Sequence, residues 1–256
     1  MFYNYHSHTA LCGHASGTPR EYIETAVAGG VRVMGFSDHA PFRFPDGYES
    51  GHRVKTKDAQ GYMQTIRQLR EEYRDRIELY VGFEMEYYPK YFDDMLAYVR
   101  SLGAEYLILA LHYLQNEYPD GVYSGTETES EALLEEYVDN AIAAMHTGVF
   151  TYLAHPDLMR YVGDDEIYIR HMRRLCAEAA RLNFPLEINF LGIRESRHYP
   201  RALFWQIAGE EGSPVVFGCD AHDTPSACDQ ASFRKAMEMV KTYRLNLIEK
   251  PELVRL

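Results

Sequence analysis

Short apolar runs alternate with longer amphipathic stretches along almost the whole chain. The apolar runs are Phe2–His8, Val33–His39, Leu79–Met85, Tyr106–Tyr113, Phe150–His155, Pro185–Phe190 and Pro214–Cys219. Most have strand length and a share of β-branched or aromatic residues. Helix-like spacing fills 18–29, 56–76, 91–102, 130–147, 165–182, 200–211 and 226–242. Thr18 followed by Pro19 reads as an N-cap and first helical residue, and Gly29–Gly30 and Gly103 read as helix stops. Seven β-then-α units predict an α/β fold with a parallel sheet, and so many in succession favour closure into a barrel. The competing arrangement is an open doubly wound sheet. No Gly-rich phosphate loop follows any strand, which weakens that alternative.

The chain has 256 residues, a length that suits one α/β barrel, so residues 1–256 are read as a single domain. No run of eighteen apolar residues occurs, and no membrane span is expected. The four cysteines form no CxxC pair and suggest no disulfide framework; with no secretory segment recognised, the expected setting is the cytoplasm. A formal net charge of −12 without a basic stripe argues against binding a nucleic-acid backbone. It leaves a small anionic substrate open, because bound divalent cations reverse the local field inside a cleft.

The histidines and carboxylates are distributed unevenly. His6 and His8 end the first apolar run, Asp38 and His39 the second, His112 the fourth and His155 the fifth. Glu84 and Asn189 lie near the ends of the third and sixth, Asp220 and His222 follow the seventh, and His14 lies in the first loop. A parallel barrel opens all its strand ends on one face, so these residues would converge. Taken alone, His6-Ser7-His8 is more readily two core or surface histidines than a site. As a group, seven of eleven histidines at or just beyond strand ends are not chance placement. Glu84 stands in an apolar run, where an unpaired carboxylate is expensive and a metal removes the problem. Glu86 reads as an exposed strand carboxylate.

These motifs resemble the polymerase and histidinol phosphatase (PHP) family. The resemblance is carried by His6-Ser7-His8, Cys12-Gly13-His14, Ser37-Asp38-His39, Gly82-Phe83-Glu84, Leu111-His112, Ala154-His155-Pro156 and Cys219-Asp220-Ala221-His222, in order along nearly the whole chain. It implies a distorted seven-stranded (β/α)7 TIM-like barrel with three divalent ions at the strand ends. One ion would take His6, His8, Glu84 and Asp220; a second Glu84, His112 and His155; a third His14, His39 and His222. Zinc, manganese and iron all suit such ligands.

Ser37-Asp38-His39-Ala40-Pro41 and Glu187-Ile188-Asn189 resemble the family branch that hydrolyses L-histidinol phosphate to L-histidinol and phosphate in histidine biosynthesis. The implied nucleophile is a hydroxide held between two ions, with Glu84 bridging and Asp220 both ligating and relaying a proton. Arg160 and Arg197 are the residues expected to bind the phosphate, with Arg194 the alternative in the second loop. Rival readings are a phosphoesterase for another monoester or a nucleotide, an amidohydrolase-type hydrolase, and a non-catalytic metal-binding module. The amidohydrolase type resembles a barrel with a bridging lysine on its fourth strand, and Tyr106–Leu114 holds no lysine. Oligomeric state is not legible.

Overall fold

A computed structural model describes residues 3–256 of the chain. Its elements follow the hydrophobic pattern closely. Strand β1 (Tyr3–Asn4) leads to helix α1 (Pro19–Ala28), β2 (Val33–His39), α2 (Ala59–Tyr73), β3 (Glu78–Glu86), α3 (Phe92–Ser101) and β4 (Leu107–Ala110). A small hairpin, β5 (Tyr113–Leu114) and β6 (Val122–Tyr123), precedes α4 (Glu131–His146) and α5 (Asp165–Leu182). The chain continues through β7 (Leu186–Asn189), α6 (Phe190–Arg194), α7 (Ala202–Glu211), β8 (Pro214–Gly218), α8 (Gln230–Tyr243) and β9 (Asn246–Leu247). Among the described residues no helix is long and apolar enough to cross a membrane.

Local chemistry explains the boundaries. The Thr18 hydroxyl accepts the Glu21 N–H while the Glu21 carboxylate accepts from Thr18 N at 2.7 Å, a closed capping box with Pro19 at the first helical position. Helix α5 buries Tyr168, Met172, Leu175, Cys176 and Ala179 at helical spacing and ends on Asn183 in the left-handed region.

The architecture is α/β, with a parallel sheet curled into a half-barrel. One run pairs β1-β2-β3-β4 and a second pairs β7-β8-β9, all parallel. Two expected strands are shorter than the sequence pattern suggests. The first apolar run forms a regular ladder only at Tyr3–Asn4, and Phe2 lies outside the described residues. The fifth run, Phe150–His155, makes single bridges from Leu153 to Leu109 and to Leu186. It ends at His155 with φ of +30°, a left-handed turn that stops any ladder there. A further bridge joins Ser7 to Ala221, with His8 N–H donating to Ala221 O at 2.9 Å. The fifth run is thus not a regular strand, and the ladders form two separate runs, β1–β4 and β7–β9.

Alternation sorts side chains to the two faces of the curl. Met34, Phe36, Phe83, Met85, Leu107, Leu109, Leu153, Ile188, Val215 and Phe217 belong to the large core shared with the helices. Their neighbours Val33, Ile108, Tyr152, Ala154 and Val216 form a second, smaller core with Tyr3, Tyr5 and Tyr106. Glu84, Glu86 and Glu187, one residue out of step with the large core, therefore face inward with that second group.

Candidate metal centre

Glu84 lies at the middle of the strand-end cluster, 1% exposed. Its Oε1 faces His6 Nε2 at 3.5 Å, His155 Nε2 at 3.0 Å and His112 Nε2 at 3.8 Å. Its Oε2 faces His39 Nδ1 at 3.0 Å and His8 Nε2 at 3.6 Å. Asp220 stands opposite, with Oδ1 3.1 Å from His8 Nε2, 3.5 Å from His6 Nε2 and 3.3 Å from His222 Nδ1. Asp220 reaches this place with φ of +45°, a left-handed residue two positions after β8. Above, His222 Nε2 is 3.0 Å from His14 Nε2, and the His8 and His222 rings stack at 4.0 Å.

All nine residues expected as ligands are thus brought together. Among the described residues, ligand atoms within 4.8 Å of one another form the groups His6–His8–Asp220, His8–His39–Glu84, Glu84–His112–His155 and His14–His39–His222. Cys12 also falls within that distance of His8 and His222.

The polar atoms in this cluster do not satisfy one another. His6 Nε2, both ring nitrogens of His8, His155 Nδ1, Glu84 Oε2 and Asp220 Oδ1 are buried with no hydrogen-bond partner. Buried unsatisfied groups are costly, and a cation among them resolves the deficit. The donor set of imidazole and carboxylate fits divalent transition metals.

Electrostatics point the same way. Burial alone would raise the Glu84 pKa, but His6, His112 and His39 outweigh it and hold the carboxylate well below its usual range. Asp220 is depressed likewise, burial being overcome by His6, His222 and His8. Burial would lower His8, yet the neighbouring Asp220 and Asp38 carboxylates raise it to about 9. His14 falls to about 4 through burial and the neighbouring His222.

Three carboxylates stand behind the histidines. Glu187 Oε1 is 2.8 Å from His6 Nδ1, Glu86 Oε1 is 2.7 Å from His112 Nδ1, and Asp38 Oδ1 is 3.5 Å from His8 Nδ1. A carboxylate facing Nδ1 draws the proton there and leaves Nε2 with its lone pair toward Glu84. The space for Glu187 exists because residue 218 is glycine: a Cβ there would lie 1.7 Å from Glu187 Oε1. Asn189 donates to Glu187 at 2.8 Å and to Asp220 Oδ2 at 3.1 Å. The reading of Glu86 as an exposed strand carboxylate is corrected: it is 1% exposed. Its position two residues after Glu84, on the same face, was the available signal.

A cavity of about 470 Å³ opens over the cluster, lined by His14, His39, His112, Asp220 and His222. Arg197 lines it too, with its guanidinium 2.7 Å from Glu195 and 3.4 Å from the Tyr199 hydroxyl. Arg160 is not among the lining residues; its guanidinium pairs with Glu127 at 2.7 Å and its side chain is 42% exposed. Arg194 braces the backbone instead, donating to Cys219 O and Asp220 O. The cavity wall also includes Arg53, Tyr113, Tyr123 and Leu158, of which sequence reasoning assigned none to the site.

A curled parallel sheet with an imidazole–carboxylate cluster at its strand ends defines a class of metal-dependent hydrolase scaffolds. The PHP domain family model matches residues 4–190, and the chain belongs to that family. It is 30% identical to the probable histidinol-phosphatase of Deinococcus radiodurans, over 85% of each chain. It is 25% identical to the histidinol-phosphatase of Bacillus subtilis (strain 168), over 85% of this chain and 92% of that one. Its fold is similar to that of histidinol phosphate phosphatase from Lactococcus lactis subsp. lactis Il1403, solved with zinc, L-histidinol and phosphate. The TM-score is 0.73 at 20% identity, covering 96% of this chain and 95% of the other.

Proposed function

We infer that this chain is a metal-dependent phosphomonoesterase that hydrolyses L-histidinol phosphate to L-histidinol and inorganic phosphate. The observation that carries the chemistry is the set of buried, unpartnered nitrogens and oxygens converging on Glu84 beneath a cavity bearing an arginine. The substrate rests on the two histidinol-phosphatases that match most of the chain.

His6, His8, Glu84 and Asp220 would hold one divalent ion, Glu84, His112 and His155 a second, and His14, His39 and His222 a third. Glu84 would bridge the first two, since its Oε2 faces His8 of the first set and its Oε1 faces His155 and His112 of the second. Bound there, zinc, manganese or iron would neutralise phosphoryl charge and lower the pKa of water toward neutrality. In the same reading, the bridges at Leu153 and Ser7 join the two strand runs into one seven-stranded barrel.

The chain's own groups supply the rest. The Arg197 fork, at the cavity wall, meets two phosphate oxygens once it turns from Glu195. Asp220 Oδ1 receives the proton lost by the attacking water. A new P–O bond forms in line with the ester bond, which breaks and leaves histidinol to take up a proton at its hydroxyl oxygen. Tyr113, Tyr123 and Tyr199 offer rings to the imidazole, and Glu195 a charge to the amine. Arg160 enters as a phosphate contact only through a movement that breaks its Glu127 pair.

The test is phosphate release from L-histidinol phosphate beside other monoesters and short nucleotides, with protein loaded separately with each metal. A kcat/KM preference of about a hundredfold, roughly 2.7 kcal/mol, is expected. Equal slow turnover of every monoester would remove the substrate assignment and keep the chemistry. No turnover by folded, loaded protein would sink both.

A further inference from the structure

A buried line of charges runs from His112 to the loops that wall the cavity. Glu86 accepts the His112 backbone N–H at 2.9 Å as well as facing Nδ1. Behind Glu86 lies the Arg53 guanidinium, with Nη2 3.4 Å from Glu86 Oε1. Arg53 donates through Nε and Nη2 to Glu117 Oε2 at 3.0 and 2.7 Å, and to the Tyr88 hydroxyl at 2.9 Å. Tyr88 in turn donates to Glu117 at 3.1 Å. The Arg53 and Glu117 side chains are each 6% exposed. Two buried carboxylates therefore share one guanidinium, and without it neither has a countercharge.

The delivery of Glu117 is unusual. Gln115, Asn116 and Glu117 have φ of +58°, +65° and +58°, three successive non-glycine residues in the left-handed region. Each costs on the order of 1 kcal/mol, and such backbone persists only where its surroundings hold it. The turn closes on Gly121, whose N–H donates to Glu117 O at 2.8 Å and where a Cβ would lie 2.3 Å from Glu117 Cα. Tyr118 stacks at 4.1 Å on Tyr48, from the loop that also carries Arg53. The strained turn and the long loop after β2 are thus fastened at two points, Tyr118 on Tyr48 and Glu117 on Arg53, and the second abuts Glu86.

We propose that Arg53 and Glu117 are positioning residues of the candidate metal centre: the 115–117 turn delivers Glu117 to Arg53, and Arg53 braces Glu86 so that His112 presents Nε2 to Glu84. This rests on the reading of Glu84, His112 and His155 as an ion site. Partners behind a metal-bound histidine typically govern affinity or activity by ten- to a hundredfold.

The experiment compares wild type with Glu117→Gln, which keeps shape and removes the charge, and Arg53→Lys, which keeps charge and removes the fork. Circular dichroism of metal-free protein reports the fold. Ions retained per chain against a competing chelator report the site, and kcat and KM for histidinol phosphate report the reaction. Both variants are expected to fold and to release one ion at roughly ten- to a hundredfold lower chelator concentration, with kcat reduced more than KM is changed. Wild-type ion retention in both folded variants overturns the proposal, even if their melting temperatures drop. Loss of the metal-free fold in both also overturns it, by assigning the pair to folding alone. A wild-type chain that retains no ion overturns the ion-site reading itself.

Discussion

The interior of the curled sheet has two ends of opposite character. At the strand starts, Tyr3, Tyr5, Tyr106 and Tyr152 pack with Val33, Ile108 and Val216, and the hydroxyls of Tyr3 and Tyr106 find partners inside the protein. Tyr106 donates to Tyr5 O at 2.8 Å, and the Tyr3 hydroxyl accepts the Phe217 N–H at 3.1 Å. At the strand ends, the same inward face carries His6, His8, Glu84 and Asp220, equally buried, with their key atoms unpartnered. Burial is the same, so burial does not mark the site. What differs is the balance of hydrogen bonds: the lower end closes its own, and the upper end leaves a deficit shaped for cations.

That contrast can be tested at both ends. The largest effect belongs to Asp220→Ala, expected to lower kcat by at least about a thousandfold, roughly 4 kcal/mol, with an unchanged circular dichroism spectrum. Activity within tenfold of wild type would refute the site.

Next is Asp157, a buried carboxylate outside both ends. It accepts the Arg201 N–H at 2.5 Å and the Trp205 indole N–H at 3.1 Å, and burial lifts its pKa to about 7. The folded chain keeps this proton through a window, from about pH 4 to pH 7, in which the unfolded chain has lost it. Stability contributed here therefore falls as pH rises through that window, by on the order of 4 kcal/mol. Asp157→Asn does not titrate, so urea unfolding of wild type should weaken relative to this variant between pH 5 and pH 8. A constant difference would contradict the assignment.

Arg197→Ala should reduce kcat/KM by about a hundredfold, whereas Arg160→Ala, outside the cavity lining, should stay within a few-fold. Reversed effects would move the phosphate toward Arg160. The smallest change is Tyr152→Phe. The Tyr152 hydroxyl at the lower end is buried and unpartnered. Its removal should leave kcat unchanged and raise stability by up to about 1 kcal/mol, measured by thermal unfolding of the metal-free chain.

Much of the site was legible because its residues obey the period-two rule. His6 and His8 are two apart on extended chain, and Glu84 interrupts a run that otherwise buries only apolar groups, whereas Asp220 reaches the cluster through a left-handed turn after its strand. The helices were legible for the same reason, as α1 and α5 show, since each must bury one stripe. What escaped has no local signature. Arg53 meets Glu117 across 64 positions, a pairing that composition and periodicity do not encode. The start of β5 falls inside the run Tyr106–Tyr113, because apolar residues continue across the break after Ala110, and β6 carries no such signal. Arg160 followed a strand-end motif closely, yet proximity in sequence did not give direction: its side chain turns to Glu127.

The bridge between Ser7 and Ala221 sets a schedule for the newborn polypeptide. The first two histidines leave the ribosome roughly two hundred residues before the segment that pairs with them. At ordinary elongation rates that interval is about ten seconds or longer. During it, no portion of the emerging chain holds both His6 and Asp220, so the part of the cluster that they share closes only at the last stage of synthesis. An interrupted message that ends before Asp220 yields polypeptide bearing most of the histidines but lacking the residue that completes their grip.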